Sequence, residues 1–155
     1  LAIIPFRPMQ HMLTIEDQVS ALNAARAHLL PGGLLALDVF YPDYSLLLQP
    51  SDKETFDLEW HDPDNEVRIV RRYFRRIRVD YLRQRLEGEF IFRVSEEDRV
   101  VKEERSQFTM GYYTYPHLLL LFRHCGFEVA EQYGSFTGDS IDICKEMIFL
   151  VRPAA

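Results

Sequence analysis

An α/β fold with an antiparallel sheet set into it is what this sequence predicts, on three observations. Two short, continuous apolar runs, Leu1–Phe6 and Leu34–Phe40, flank an amphipathic helical stretch. Strands covered on both faces read as such runs, and strand–helix–strand with tight connections is the crossover unit of a parallel sheet. Between Glu66 and Met110 the text instead interleaves β-branched and aromatic residues with charge, broken at DPDN, VD and SEED, as antiparallel strands do. After Tyr115 the helix-and-strand style of the opening returns.

Each element has its own signal. Pro5 and Pro8 end the first strand. Thr14, with Asp17 three residues on, starts a helix in the manner of a loose capping box. Its apolar stripe is predicted at Ile15, Val19, Leu22, Ala25 and Leu29. LLPGG at Leu29–Gly33 stops the helix, because Pro31 cannot continue it and the glycines permit a reversal. LLALDVF is then the second strand. In the middle we expect three antiparallel strands, with FDLEW (Phe56–Trp60) as a candidate fourth. A helix over Arg71–Arg85 competes, but Val67, Ile69, Val70, Ile77 and Val79 favour strands. Tyr115–Phe127 is a helix opened by Pro116 and closed by Gly126. FEVAEQYGSF and KEMIFLVRP are the closing strands.

Composition narrows the classes. With 47% hydrophobic and 13% aromatic residues the chain can build a real core, which excludes disorder. A net charge of −6 disfavours general polyanion binding. No apolar run approaches the ~20 residues that span a bilayer, and no secretory leader opens the sequence. The two cysteines, Cys125 and Cys144, sit in apolar segments and are expected as buried reduced thiols, without metal-ligand spacing. A cytoplasmic globular protein is the expectation.

Four stretches in order carry a family resemblance: IIPFRPMQHMLTIEDQ, HLLPGGLLALDVFYPD, the helix ending HCGF, and the terminal MIFLVRP. Together they resemble the second half of a class I S-adenosylmethionine-dependent methyltransferase. That family's sheet runs 3-2-1-4-5-7-6 with the last strand reversed. The resemblance implies the C-terminal half of a Rossmann-like methyltransferase sheet, strands four to seven, with an inserted antiparallel β lid. The expected division is residues 1–50 and 113–155 for the core and 51–112 for the lid. Strands one to three would then lie outside this chain, with the glycine-rich cofactor turn and the acidic residue that holds the ribose. No G-x-G follows a strand start here. The expected reading is a C-terminal portion of an enzyme, binding the cofactor poorly by itself. The resemblance also implies that Leu1–Phe6 lacks its sheet neighbour, so the missing N-terminal half or a second copy should pair along that edge.

S-adenosylmethionine is the implied cofactor and a small molecule the implied acceptor. The resemblance places Pro5, Phe6 and His11 beside the cofactor. It places Arg7, Tyr41, Tyr112 and Tyr113 toward the acceptor, although relatives carry Asn or Asp where Arg7 stands. Asp43 shares the loop with Tyr41, outside the carboxyl ends of strands, where open α/β sheets bind ligands. Asp38, inside its strand, is expected to be structural. No catalytic residue is assigned, since methyl transfer rests mainly on positioning, and no metal site is expected. The arginines Arg68, Arg71, Arg72, Arg75, Arg76, Arg78, Arg83 and Arg85, with Tyr73, Phe74 and Tyr81 among them, have the composition of a nucleic-acid surface. The glutamates on the following strands favour cross-strand pairing instead. Two other functions stay open: a non-catalytic α/β interaction module, and an RNA-contacting domain built on those arginines.

Overall fold

A computed structural model describes residues 1–154 except Gln49, Asp52, Cys144 and Lys145. The elements run β1 (Ala2–Ile4), a 3-10 turn (Pro8–His11), α1 (Ile15–Ala27), β2 (Leu35–Phe40), α2 (Tyr44–Leu48), β3 (Glu54–Asp62), β4 (Asn65–Asp80), β5 (Arg85–Glu96), β6 (Arg99–Gly111), α3 (Tyr115–His124), β7 (Phe127–Tyr133) and β8 (Glu146–Pro153). They form two compact units, Leu1–Asp43 with Met110–Ala155, and Tyr44–Thr109. The second unit thus begins at α2, before the boundary expected at residue 51.

The first unit holds a sheet ordered β1-β2-β8-β7. β1 pairs parallel to β2, while β8 runs antiparallel to both β2 and β7. This is the 4-5-7-6 order with its reversed strand. Thr14 caps α1, its Oγ accepting the Asp17 backbone N–H at 3.1 Å. The predicted stripe is narrower than expected. Leu22 is fully buried, but Ile15, the first residue of the helix, is 64% exposed. Alternate residues Leu35, Leu37 and Val39 face Val151, Phe149 and Met147 on the adjacent strand and fill the core with Leu118 and Phe122. Burial of each such side chain is worth roughly 1.5–3 kcal/mol. Helix α3 begins with Pro116 in its first turn and stops at Gly126, whose φ of 70° suits a residue without a side chain. Cys125 is a buried free thiol, whereas Cys144 lies outside the described residues. No described helix is long and apolar enough to cross a membrane.

The second unit is a four-stranded sheet, β3-β4-β5-β6, so FDLEW belongs to a full strand and the helical alternative for Arg71–Arg85 is replaced by β4 and β5. Tight turns join neighbours: at Pro63–Asp64, Asp62 Oδ1 accepts the Asp64 N–H, and at Glu97–Asp98 the two residues have φ of 46° and 63°, the left-handed region that a twisted two-residue hairpin turn uses. One face stacks rings. Phe90 lies 4.8 Å from Phe108 and 6.1 Å from Phe74 between centroids. Gly88 makes room for them, since a β-carbon there would meet Phe74 at 2.8 Å and Phe108 at 2.9 Å. The arginines serve as internal struts. Arg72 lies over the Phe90 ring and pairs with Asp57; Arg93 lies over Tyr73 and pairs with Glu54 and Glu103. The pKa of Arg93 is held up by those two carboxylates, Glu54 first. Arg68, Arg71, Arg78 and Arg83 likewise face Glu96, Glu59, Glu87 and Asp80. Glu89 is 3% exposed and receives Arg75 and Arg105.

Candidate functional site

The parallel strands β1 and β2 end on the same edge of their sheet, and β8 begins there because it runs the other way. Each departure from that edge must turn the chain sharply. After β1, Phe6 and Arg7 take successive left-handed conformations, φ 65° and 64°. Each costs roughly 1–2 kcal/mol for a side-chain-bearing residue. The surroundings hold them there. Gln10, fully buried, accepts the Phe40 N–H on Oε1 at 3.0 Å and donates Nε2 to the Gly111 carbonyl at 2.9 Å. One amide thereby ties the loop after β1 to the end of β2 and to the returning chain. The Tyr113 hydroxyl donates to the Met9 carbonyl at 2.6 Å. Arg7 Nη2 donates to Glu146 Oε1 at the start of β8.

The residues singled out in the sequence fall into three groups. Pro5, Phe6 (92% exposed), Arg7 and Tyr41 (39% exposed) occupy the carboxyl edge, and His11 is exposed at the end of the 3-10 turn. Asp38 is buried within β2, and Asp43 is exposed beyond it. Tyr112 and Tyr113 are buried, the latter 1% exposed with its hydroxyl engaged, so Tyr113 packs the unit from within. Burial pushes the Tyr113 phenol well above its ordinary range. Burial also lowers the pKa of His117, whose ring lies 5.3 Å from that of Tyr113.

Two features of this edge have no counterpart in the sequence reading. The first is Glu146. Its carboxyl is pushed up by burial, Arg7 opposes that shift, and Asp38 nearby adds to it. The second is a cavity of about 240 Å³ lined by Tyr41, Tyr115, Gln132, Ile141, Asp142 and Met147. Tyr115 donates its hydroxyl to Gln132 Oε1 at 3.0 Å. Only Tyr41 among these residues was singled out. The remaining signal lay in position, since Gln132, Ile141 and Asp142 sit at or beyond the end of β7. Among the described residues no group of three His, Cys, Asp or Glu could hold a metal ion.

No protein-family model and no curated protein sequence matches the chain. Solved structures do. One is an S-adenosylmethionine-dependent methyltransferase from Clostridium acetobutylicum: TM-score 0.73, 14% identity, 99% of this chain and 57% of that one. Another is the CcbJ methyltransferase from Streptomyces caelestis: TM-score 0.71, 19% identity, 98% and 59%. A third, solved with S-adenosylmethionine bound, is an amino pentose methyltransferase from Micromonospora echinaspora: TM-score 0.68, 20% identity, 96% and 56%. The chain therefore has the fold of the second part of a class I S-adenosylmethionine-dependent methyltransferase, and it spans somewhat over half the length of these neighbours.

Proposed function

We propose that the chain is the carboxyl-terminal part of an S-adenosylmethionine-dependent methyltransferase acting on a small molecule, with an amine-bearing sugar as the acceptor class to test first. The observation that carries this reading is the strand order β1-β2-β8-β7 with β8 reversed, in a chain matched over nearly its whole length by methyltransferases. The acceptor class follows the amino pentose methyltransferase among the neighbours. In this reading Pro5, Phe6 and His11 border the cofactor and Arg7 and Tyr41 face the acceptor side, while Tyr112, 6% exposed, like Tyr113 offers it little surface.

The fit to the cofactor is partial. The strained loop after β1 offers exposed Phe6 and a left-handed backbone turn on one side, but the sequence has no glycine-rich turn to approach the cofactor closely. The cofactor supplies a methyl group on a sulfonium; this chain's part is to wall it and to position the acceptor. The other contribution comes from an N-terminal part or a second copy pairing along β1, whose Leu1 and Ile3 are 84% and 62% exposed. The test is the whole protein with methyl-labelled S-adenosylmethionine and a panel of amino sugars and metabolite extracts. Label should appear in a small molecule. No binding of the cofactor by the whole protein would overturn the reading, as would micromolar binding by the 155-residue chain alone overturn the division of the site.

A further inference from the structure

The cavity beside Tyr41 has a more specific chemistry than the fold requires. At about 240 Å³ it is smaller than the ~300–1,000 Å³ of drug-sized sites, and holds one ring. Its floor is apolar, with Met147 1% exposed and Ile141 half-buried. Two phenol rings, Tyr41 and Tyr115, stand at its walls. The Tyr115 hydroxyl donates to Gln132 Oε1, which orients the amide; its N–H donors and the second lone pair of the oxygen are what that side chain offers a ligand. Asp142, an exposed residue, is the one carboxylate among the described lining residues, and the Ser140 hydroxyl donates to it at 3.2 Å. Among the described lining residues there is no Lys, Arg or His.

These groups decide between ligand classes. A phosphate or carboxylate would meet a carboxylate and, among the described lining residues, no cation. A purely apolar ring would leave the Gln132 amide donors without exchange for their water and make no use of the solvated Asp142 carboxylate. A hydroxylated ring bearing an ammonium satisfies every wall: its C–H face on Met147 and the phenols, a hydroxyl on the Gln132 amide, the cation against Asp142 and the aromatic faces. We propose that this cavity seats the amino-bearing, hydroxylated ring of a cationic small molecule, with Asp142 as the residue that selects the amine. Its role as the acceptor seat rests on the methyltransferase reading; its ligand chemistry does not.

Calorimetry or saturation-transfer NMR on the protein, with glucosamine as probe and glucose as neutral control at slightly acidic pH, tests it without any methyl donor. Glucosamine should bind and glucose should bind about fivefold or more weakly, the worth of a partly screened ion pair of about 1 kcal/mol. Asp142→Asn should erase that preference, and Gln132→Leu should weaken both sugars while keeping it. Equal affinities in the unaltered protein, a preference that survives Asp142→Asn, or no binding of either sugar would overturn the proposal. The comparison within the unaltered protein decides the matter even if a variant fails to fold. Failure of cofactor binding in the whole protein would sink the methyltransferase reading and leave the amine preference standing. Methyl transfer to an amino sugar with no dependence on Asp142 would sink only the present inference.

Discussion

Arg7 and Glu146 form an ion pair whose two members are not equally placed, and the difference predicts an asymmetry between their variants. The Arg7 side chain is 43% exposed and that of Glu146 18%. Arg7→Met keeps a β-carbon on the left-handed backbone, so the strain at φ 64° stays constant. What changes is that a largely buried carboxylate, already pushed up by burial and by Asp38, loses the guanidinium that opposes the shift. Truncating one partner of a buried charge pair costs about 3–5 kcal/mol; partial exposure brings the expectation here down to about 1–2 kcal/mol. Glu146→Gln removes the buried charge itself and returns Arg7 to solvent, which should change stability by less than about 1 kcal/mol.

The pH dependence has a definite sign. A carboxyl whose folded pKa is raised binds its proton more tightly in the fold, so its contribution is most favourable at low pH and is lost as pH rises through the folded value. The Arg7→Met deficit comes from the charged form. It should be full above the raised pKa of Glu146 and shrink as pH falls through it toward the ordinary range. Urea unfolding of the unaltered protein and both variants, near neutrality and again near pH 4.5, reads this directly. Glu146→Gln costing as much as Arg7→Met at neutral pH would refute the reasoning. So would an Arg7→Met deficit that does not diminish in acid.

Two packing predictions stand apart from that pair. Gly88→Ala should destabilise the inserted sheet by about 1–3 kcal/mol, because the new methyl meets the Phe74 and Phe108 rings. Phe108→Leu should recover part of that loss in the double variant, and a simple sum of the two single costs in chemical unfolding would show that the rings do not cross there. Tyr113→Phe should cost about 0.5–1.5 kcal/mol, since it removes one of the two donors at the Met9 carbonyl, leaving the Met12 N–H. No change in unfolding midpoint would mean the hydroxyl contributes nothing to holding the loop.

Elements whose limits are set within a few residues were readable from the sequence. Thr14 announces α1 through a bond that spans three residues, and Pro116 and Gly126 bracket α3 by their own backbone limits. Pairing order in the first sheet is different in kind, because β8 enters between β2 and β7 after both have passed. Nothing local demands this; it came from resemblance. The inserted strands were readable through their β-branched residues, but not their number, because FDLEW is short and its neighbours are exposed polar residues that read equally as loop. Ile15 misled because periodicity reports which face a residue shares and says nothing about whether anything covers the end of the helix where it stands.

The site was less legible than the fold for a related reason. Arg7 meets Glu146, which lies 139 positions along the chain, and Gln10 bonds to Gly111, 101 positions away. A glutamine between two methionines and a glutamate at the head of an apolar strand are signs of polar groups needing partners, but the partners cannot be named before the strands are ordered. The arginine-rich stretch shows the same limit from the other side. Its composition matches a surface for polyanions, yet composition does not tell whether a guanidinium faces water or a ring two strands away. Arg72 over Phe90 and Arg93 over Tyr73, each also held by a carboxylate, put the cation between an aromatic face and an anion of the same sheet. A charge neutralised in that way projects little field beyond its own strand pair. Interleaved arginine and aromatic residues therefore read as a sheet's internal bracing when acids on the strands to either side, such as Asp57 and Glu59 before them and Glu87 and Glu96 after, stand opposite the guanidinium groups.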